Sequence, residues 1–395
     1  MHFQKYSAPY IFDGFGHVYE DKVIIVDHFG TILSIEDSAQ HDHTSVMAIQ
    51  GAIVPGFVNT HCHLELSHMK GKVQTGTTLL PFINQVVSHR DVSQDLILDA
   101  IERGDEEMFQ NGIVAVGDIS NKNDTVNTKK ESKIFYHTFV EMFDFLQDQK
   151  SQIIFDQYLT VFEQHNEDEH NRKSMVPHAP YSVSRNLFSL INRANKKDSI
   201  ISIHNQETVQ ENLLFEDKTG QFPDFYRGFG VNLDAFEPLH ESSMAYNIEN
   251  LDPSKPTIFV HNTETTDSDI QIAKEWNKNT FWASCPNANL YIENRLPRYD
   301  FFINQGAVIT IGTDSLTSNW QLSIAAEIYT ILKYCSYVPF EKAIVWATSN
   351  GAAALGLNDR FGCIKTGMMP GLVGMNVSKN EGKFVMHDFD VIRLV

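Results

Sequence analysis

Between residues 52 and 355 short β-prone runs alternate with stretches whose apolar residues recur at helical spacing, and this alternation restricts the chain to a parallel sheet covered by helices. The β-prone runs are 52–60, 112–119, 133–140, 173–179, 199–205, 257–262, 280–286 and 306–314. Between them lie amphipathic pieces such as LILDAIERGDEEMFQN, LFSLINRANKK and SDIQIAKEWNKN. Eight such units over this span predict an α/β fold, a (β/α)8 TIM barrel, which needs roughly 250 residues. A doubly wound open sheet is the rival, but no Gly-x-Gly-x-x-Gly turn follows an early strand. The two ends read differently. KVIIVD at 22–27, TILSI at 31–35 and the runs GCIKTGMMPGLVGMNV and GKFVMHDFDVIRLV are short strands broken by Gly, Pro and polar turns. They predict a small β-sandwich-like domain formed by both termini, 1–52 with 356–395, around a barrel of 53–355.

Charge narrows the partners. Lys+Arg 31 against Asp+Glu 50 leaves a formal charge of -19, which argues against nucleic acid or an anionic membrane as a partner. The four cysteines, Cys62, Cys285, Cys335 and Cys363, are widely spaced and form no Cys-x-x-Cys pair, so they read as reduced, packed thiols. The first residues lack the pattern of a signal peptide, and no apolar run reaches the length of a membrane span. The expectation is a cytoplasmic protein, a homo-oligomer (dimer), acting on a small molecule.

Polar residues gather where the predicted strands end, the edge on which barrels carry their chemistry. Strand one ends in His61-Cys62-His63, strand four in His178, strand five in His204, strand six in His261 and strand eight in Asp314. His-x-His alone is a weak signal, because 17 histidines in 395 positions give on the order of one such pair by chance. His41-Asp42-His43 is such a pair in a polar stretch with no strand before it, and reads as solvated loop. His61 and His63 differ in ending an apolar strand, where residues two apart share a face; Cys62 then packs against the helices. His204 and Glu207 straddle a strand-to-helix junction three residues apart, although Glu207 could equally be an ordinary acidic residue of a first helical turn. A carboxylate at the position of Asp314 is costly to bury without a cation. Imidazoles with one carboxylate suit zinc or ferrous iron better than hard, oxygen-preferring ions.

VPGFVNTHCHLELS at 54–67, PHAPYSVS at 177–184, HNQET at 204–208, FVHN at 259–262, SCPNANLYI at 284–292 and GTDSLTSN at 312–319 follow one another at barrel-like intervals. In these the chain resembles the amidohydrolase superfamily, in its cytosine/guanine/adenosylhomocysteine deaminase-like and chlorohydrolase-like branch. The resemblance implies that His61, His63, His204 and Asp314 hold one divalent metal ion, Zn2+ or alternatively Fe2+. It implies Glu207 as general acid/base, His261 as the group that orients the attacking water, and His178 as a substrate contact. No lysine ends strand four to serve as the carbamylated bridge of two-metal members, which favours a single ion. Two departures stand out: MMPGLVGMNV replaces the usual continuation after GCIKTG, and CPNAN replaces the commoner Cys-Pro-x-Ser-Asn, leaving the role of Asn287 open.

The implied chemistry is metal-assisted hydrolysis. A bound divalent ion lowers the pKa of water towards about 7, Glu207 moves the proton, and Asp314 accepts a second proton as the adduct collapses. Deamination of a purine-like base or nucleoside is the favoured outcome, and HLELS resembles aminodeoxyfutalosine deaminases in particular. The alternatives are loss of a ring halide or alkylamine at the same site, and a catalytically silent barrel used as a binding scaffold. Substrate choice is expected to reside in 64–82, 141–150 and 208–246, the last being either a barrel helix with a surface excursion or a lid. Glu65 and Ser67 are candidates for contacts to substrate or to the ligands, and Arg295 for an anion site or a surface salt bridge.

Overall fold

The computed structural model describes residues 3–395. Its barrel strands are β1 (Phe57–Cys62), β2 (Ile113–Ser120), β3 (Phe135–Met142), β4 (Asn171–Pro177), β5 (Ile201–Asn205), β6 (Thr257–His261), β7 (Thr280–Ser284) and β8 (Val308–Ile311). They form two parallel four-stranded sheets, β4-β3-β2-β1 and β5-β6-β7-β8. Backbone bonds close both seams. Thr313 and Asp314 donate to the His61 carbonyl at 3.0 Å, and His204 donates to the His178 carbonyl at 2.9 Å. The predicted eight-stranded barrel is therefore the observed one.

Strands buried on both faces explain the near-continuous apolar runs: every residue of β2 is buried. The helices that cover them carry one apolar stripe. Gln94–Gln110 buries Ile97, Ala100, Ile101, Gly104 and Met108, which recur every three to four residues along one face. Asp267–Trp276 starts at a reciprocal capping box, in which Thr266 and Asp269 each accept the other's backbone N–H.

The termini build two packed sheets. One orders Ile32–Asp37, Lys22–Asp27, Phe3–Ser7 and Met47–Ala48; the other orders Lys383–Arg393, Leu372–Asn380, Ala52–Pro55, Tyr10–Phe12 and Val18–Tyr19. Tyr6, Ile11, Ile24, Ile32, Ile53 and Leu372 share one apolar cluster. The unusual LVGMNV run is an ordinary strand here, with Leu372 opposite Pro55 and Met375 opposite Ala52.

The sequence run 52–60 is two strands, not one. Ala52–Pro55 pairs with the terminal sheet, and Phe57 begins the barrel. Gly56 separates them where a Cβ would lie 2.4 Å from Val114 and 2.6 Å from the Pro370 carbonyl. We propose Gly56 as the joint between the two units, against the break after 52 expected from sequence. No helix among the described residues is long and apolar enough to cross a membrane.

Candidate metal centre and active site

The ends of β1, β5, β6 and β8 bring His61, His63, His204, His261 and Asp314 to one point at the barrel mouth. His63 Nε2 lies 3.2 Å from His61 Nε2 and 3.3 Å from His204 Nε2. Asp314 Oδ1 lies 3.6 Å from His61 Nε2 and 3.5 Å from His63 Nε2. Four ligand atoms on a tetrahedron with bonds of about 2.0–2.1 Å stand roughly 3.3–3.4 Å apart. The observed edges match that spacing, so the donor set fits a small tetrahedral cation.

Local structure aims each donor. The β1–β2 register shifts between Asn59 and Cys62, a bulge that re-aims the end of β1. His61 lies on the strand, whereas His63 is the first residue past it, at the start of the Leu64–Met69 turn. The pairing of the two imidazoles thus comes from a bulge and a turn, not from simple alternation along one strand. Gly312 allows β8 to approach, since a Cβ there would sit 2.8 Å from both the His61 Cβ and its carbonyl oxygen. Asp314 follows in the left-handed region at φ 58, and His261 at φ 74. Non-glycine residues occupy that region at a cost and are concentrated at functional sites.

Further contacts fix orientation. His204 Nδ1 donates to the His178 carbonyl at 2.8 Å, which turns Nε2 towards the centre. Asp314 Oδ2 accepts from Ser318 at 2.6 Å, leaving Oδ1 for the centre. His261 Nδ1 donates to Asn289 Oδ1 at 2.9 Å, and its Nε2 lies 3.7 Å from Glu207 Oε1. Glu207 precedes Thr208, the N-cap of Val209–Asp217, so it stands outside the first helical turn. Its backbone is clamped, with its carbonyl accepting from Thr263 at 2.5 Å.

The electrostatics divide the groups. Burial holds His63 and His178 down at about 3 and His261 at about 4, and pushes His204 well below its ordinary value. These imidazoles are neutral at pH 7, the form that binds metal or accepts a proton. Burial would raise Asp314, but its contact with His61 and the nearby His63 and His261 outweigh this and hold the carboxyl low. Burial and the neighbouring Asp314, Glu293 and Glu211 push Glu207 well up. Two carboxyls lining one cavity are thus driven in opposite directions, as acid and base partners in one site require.

These residues open into a cavity of about 370 Å³. His63, His178, His204, Glu207, His261 and Asp314 line it, while His61 is fully buried beneath. His178 pairs with Ser182 at 2.6 Å. The outer wall is apolar. Leu79, Phe82 and Val86 come from a helix, Leu79–His89, whose first residues fall in the 64–82 loop expected from sequence. Phe225 and Phe229 come from the 208–246 segment. That segment folds into Val209–Asp217 and Phe222–Gly228 and runs into Ser243–Asn250, and Phe225, Tyr226 and Phe229 of its middle line the cavity.

The remaining candidates separate clearly. Glu65 lines the cavity and accepts the backbone N–H groups of Asn121 and Lys122 at 2.9 and 3.1 Å. Ser67 bonds the Leu64 carbonyl at 2.7 Å. Asn287 is taken up by Glu327 and Thr330, so the CPNAN residue facing the site is Asn289. Arg295 pairs with Glu264 at the surface. His41 contacts Glu36 and Lys5 in the small β unit. No lysine reaches the centre from β4: Lys173 donates to the Phe162 and His165 carbonyls at 2.8 and 2.7 Å. All four cysteines are free and buried. Sequence reasoning missed Asn289 and Glu141, a buried carboxyl at the end of β3 that also lines the cavity.

The sequence model of the amidohydrolase family matches residues 52–394, which takes in every barrel strand and every residue of this centre. The chain belongs to the amidohydrolase family. Among amidohydrolase relatives it is 26% identical over 358 residues to an adenosine deaminase of Helicobacter pylori, covering 88% of this chain and 84% of that one. It is also 26% identical over 352 residues to an aminodeoxyfutalosine deaminase of Nitratiruptor sp., covering 86% and 82%. Among solved structures, the aminofutalosine deaminase of Helicobacter pylori in complex with methylthio-coformycin superposes with a TM-score of 0.79, 24% identity and coverage of 95% and 93%. An adenosine deaminase of Xanthomonas campestris with bound zinc superposes with a TM-score of 0.74, 21% identity and coverage of 98% and 87%.

Proposed function

We propose that this amidohydrolase is a metal-dependent aminohydrolase that deaminates a purine nucleoside, with aminodeoxyfutalosine as one candidate substrate. The observation that carries the reading is the tetrahedral spacing of His61, His63, His204 and Asp314 beside the Glu207–His261 pair, at the floor of a cavity with apolar walls. The names of the relatives support the same reaction class. These four residues would hold one divalent ion, zinc by its donor set and by the zinc-bound neighbour, and that ion supplies Lewis acidity that brings the pKa of water towards about 7.

The chain's own groups do the proton work. Glu207 takes a proton from the attacking water and delivers it to a ring nitrogen of the substrate. His261, with Nδ1–H committed to Asn289, presents an unprotonated Nε2 that orients the water. Water oxygen bonds to the ring carbon bearing the amino group. Asp314, kept ionised, takes the second proton from the added hydroxyl and passes it to the amino group, so that the C–N bond breaks with ammonia as the leaving group. The apolar wall excludes bulk water from the ring.

The test is a panel of adenosine, 5'-deoxyadenosine, aminodeoxyfutalosine, adenine, guanine and cytosine with zinc-loaded protein. Release of one ammonia per carbonyl-bearing product from a purine nucleoside is expected. Turnover confined to halide or alkylamine loss, or none with any purine nucleoside, overturns the proposal.

A further inference from the structure

Glu141 is the penultimate residue of β3, lines the cavity and is 2% exposed. Its Oε2 accepts from Asn121 Nδ2 at 3.2 Å. Its Oε1 has no hydrogen-bond partner. The ring of His204 comes within 3.3 Å of that oxygen, but the His204 Nδ1 proton is committed to the His178 carbonyl. A buried acceptor left unpaired is costly, and in a cavity wall it marks the place where a ligand supplies the donor.

The surroundings define that donor. One ligand atom each of Glu141, His178 and His204 lie within 4.8 Å of one another. A second cation there would compete with the proton on His204 Nδ1, whereas a hydroxyl group fits. It donates to Glu141, accepts from the neighbouring imidazole, and pairs with a carboxyl in either protonation state. Position favours the sugar over the base. The His204 ring lies 5.4 Å from that of His261 on the reacting side and 4.8 Å from that of His178. Glu141 therefore stands on the Nδ1 side of the His204 ring, while His204 Nε2 faces the metal centre. The Phe143 and Phe145 side chains beside it offer no hydrogen-bonding atoms, and Glu65 has already committed Oε2 to two backbone donors.

We propose that Glu141 is a specificity residue that hydrogen-bonds a hydroxyl on the sugar of the nucleoside substrate. The proposal rests on the deaminase reading above. Its test compares kcat/KM for adenosine, 2'-deoxyadenosine, 3'-deoxyadenosine and 5'-deoxyadenosine in wild-type protein and in Glu141→Ala, with zinc content measured for both. In the wild type, removing the recognised hydroxyl is expected to lower kcat/KM by about tenfold or more. In Glu141→Ala that penalty shrinks to about threefold or less, with zinc content unchanged. Glu141→Gln, which keeps an acceptor, retains part of the penalty and serves as the comparison should the alanine variant not fold. Equal penalties in variant and wild type, or no penalty for any hydroxyl in the wild type, overturn the assignment. So does loss of zinc with a uniform fall for all substrates, which would make Glu141 a prop for His204. Absence of deamination on every nucleoside refutes the function reading itself and takes this assignment with it, so the two failures are distinguishable.

Discussion

Asn289→Ala removes the acceptor that holds His261 Nδ1 at 2.9 Å. Both residues are buried, at 1% and 2% exposure, so water cannot readily take its place. Leaving a buried donor unsatisfied costs about 1–3 kcal/mol. At about 1.4 kcal/mol per factor of ten, that is roughly a 5- to 150-fold loss. The loss should fall on kcat, because His261 acts on the attacking water and not on the bound base. Steady-state kinetics with a deaminated nucleoside, together with zinc content, read this directly. Zinc content should stay at the wild-type level. Asn289→Asp restores an acceptor but adds a negative charge, which favours protonated His261 and raises its pKa from about 4. Because protonation removes the free Nε2, the acidic limb of the kcat profile should move to higher pH. A kcat for Asn289→Ala within twofold of wild type, or a loss confined to KM, refutes the role given to this pair.

Glu207→Gln should retain zinc and lose about 10²–10⁴-fold in kcat, and a fast variant would sink the proton-transfer assignment. Lys129 lies buried at 2.6 Å from Asp118, whose other oxygen accepts the Leu64 N–H beside His63. Lys129→Met leaves Asp118 uncompensated and should cost about 3–5 kcal/mol in urea unfolding; a cost below about 1 kcal/mol would contradict this. His137 is buried against Phe139, and burial lowers it to about 3. The unfolded chain takes up this proton near the ordinary value of 6.5 and the folded chain only near 3, so stability is full above pH 6.5 and falls as pH drops through that window. Melting temperature measured between pH 7 and 4 should decline less in His137→Gln than in wild type, and parallel declines would remove His137 as a cause.

The barrel is legible because its strands are apolar and largely buried on both faces, and five of them end at or near a His or Asp. His61, His63, His204, Glu207, His261 and Asp314 all converge, although the individual motifs are weak. What stayed hidden has local causes. The strand break at Gly56 lies between two fully buried strands with apolar residues on either side of it, so no polar turn signals it. Helix Leu79–His89 lies outside the regular strand–helix alternation, and its Leu79, Phe82 and Val86 form cavity wall. Asn287 and Asn289 both sit in the first turn of Pro286–Glu293, and only the rotation of that helix decides which faces His261. Glu141 could have been found, because a carboxyl at the end of a barrel strand is the signal that singled out Asp314. The predicted strand simply stopped at 140, two residues short of the observed end.

The central claim is that one metal ion held by His61, His63, His204 and Asp314 makes this chain a deaminase. Chelator-treated protein titrated with zinc, with bound metal and nucleoside deamination followed together, tests it most directly. The starting protein is expected to be inactive, with activity that rises linearly and breaks at one zinc per chain. A break at two, or deamination that survives with no metal bound, would contradict it.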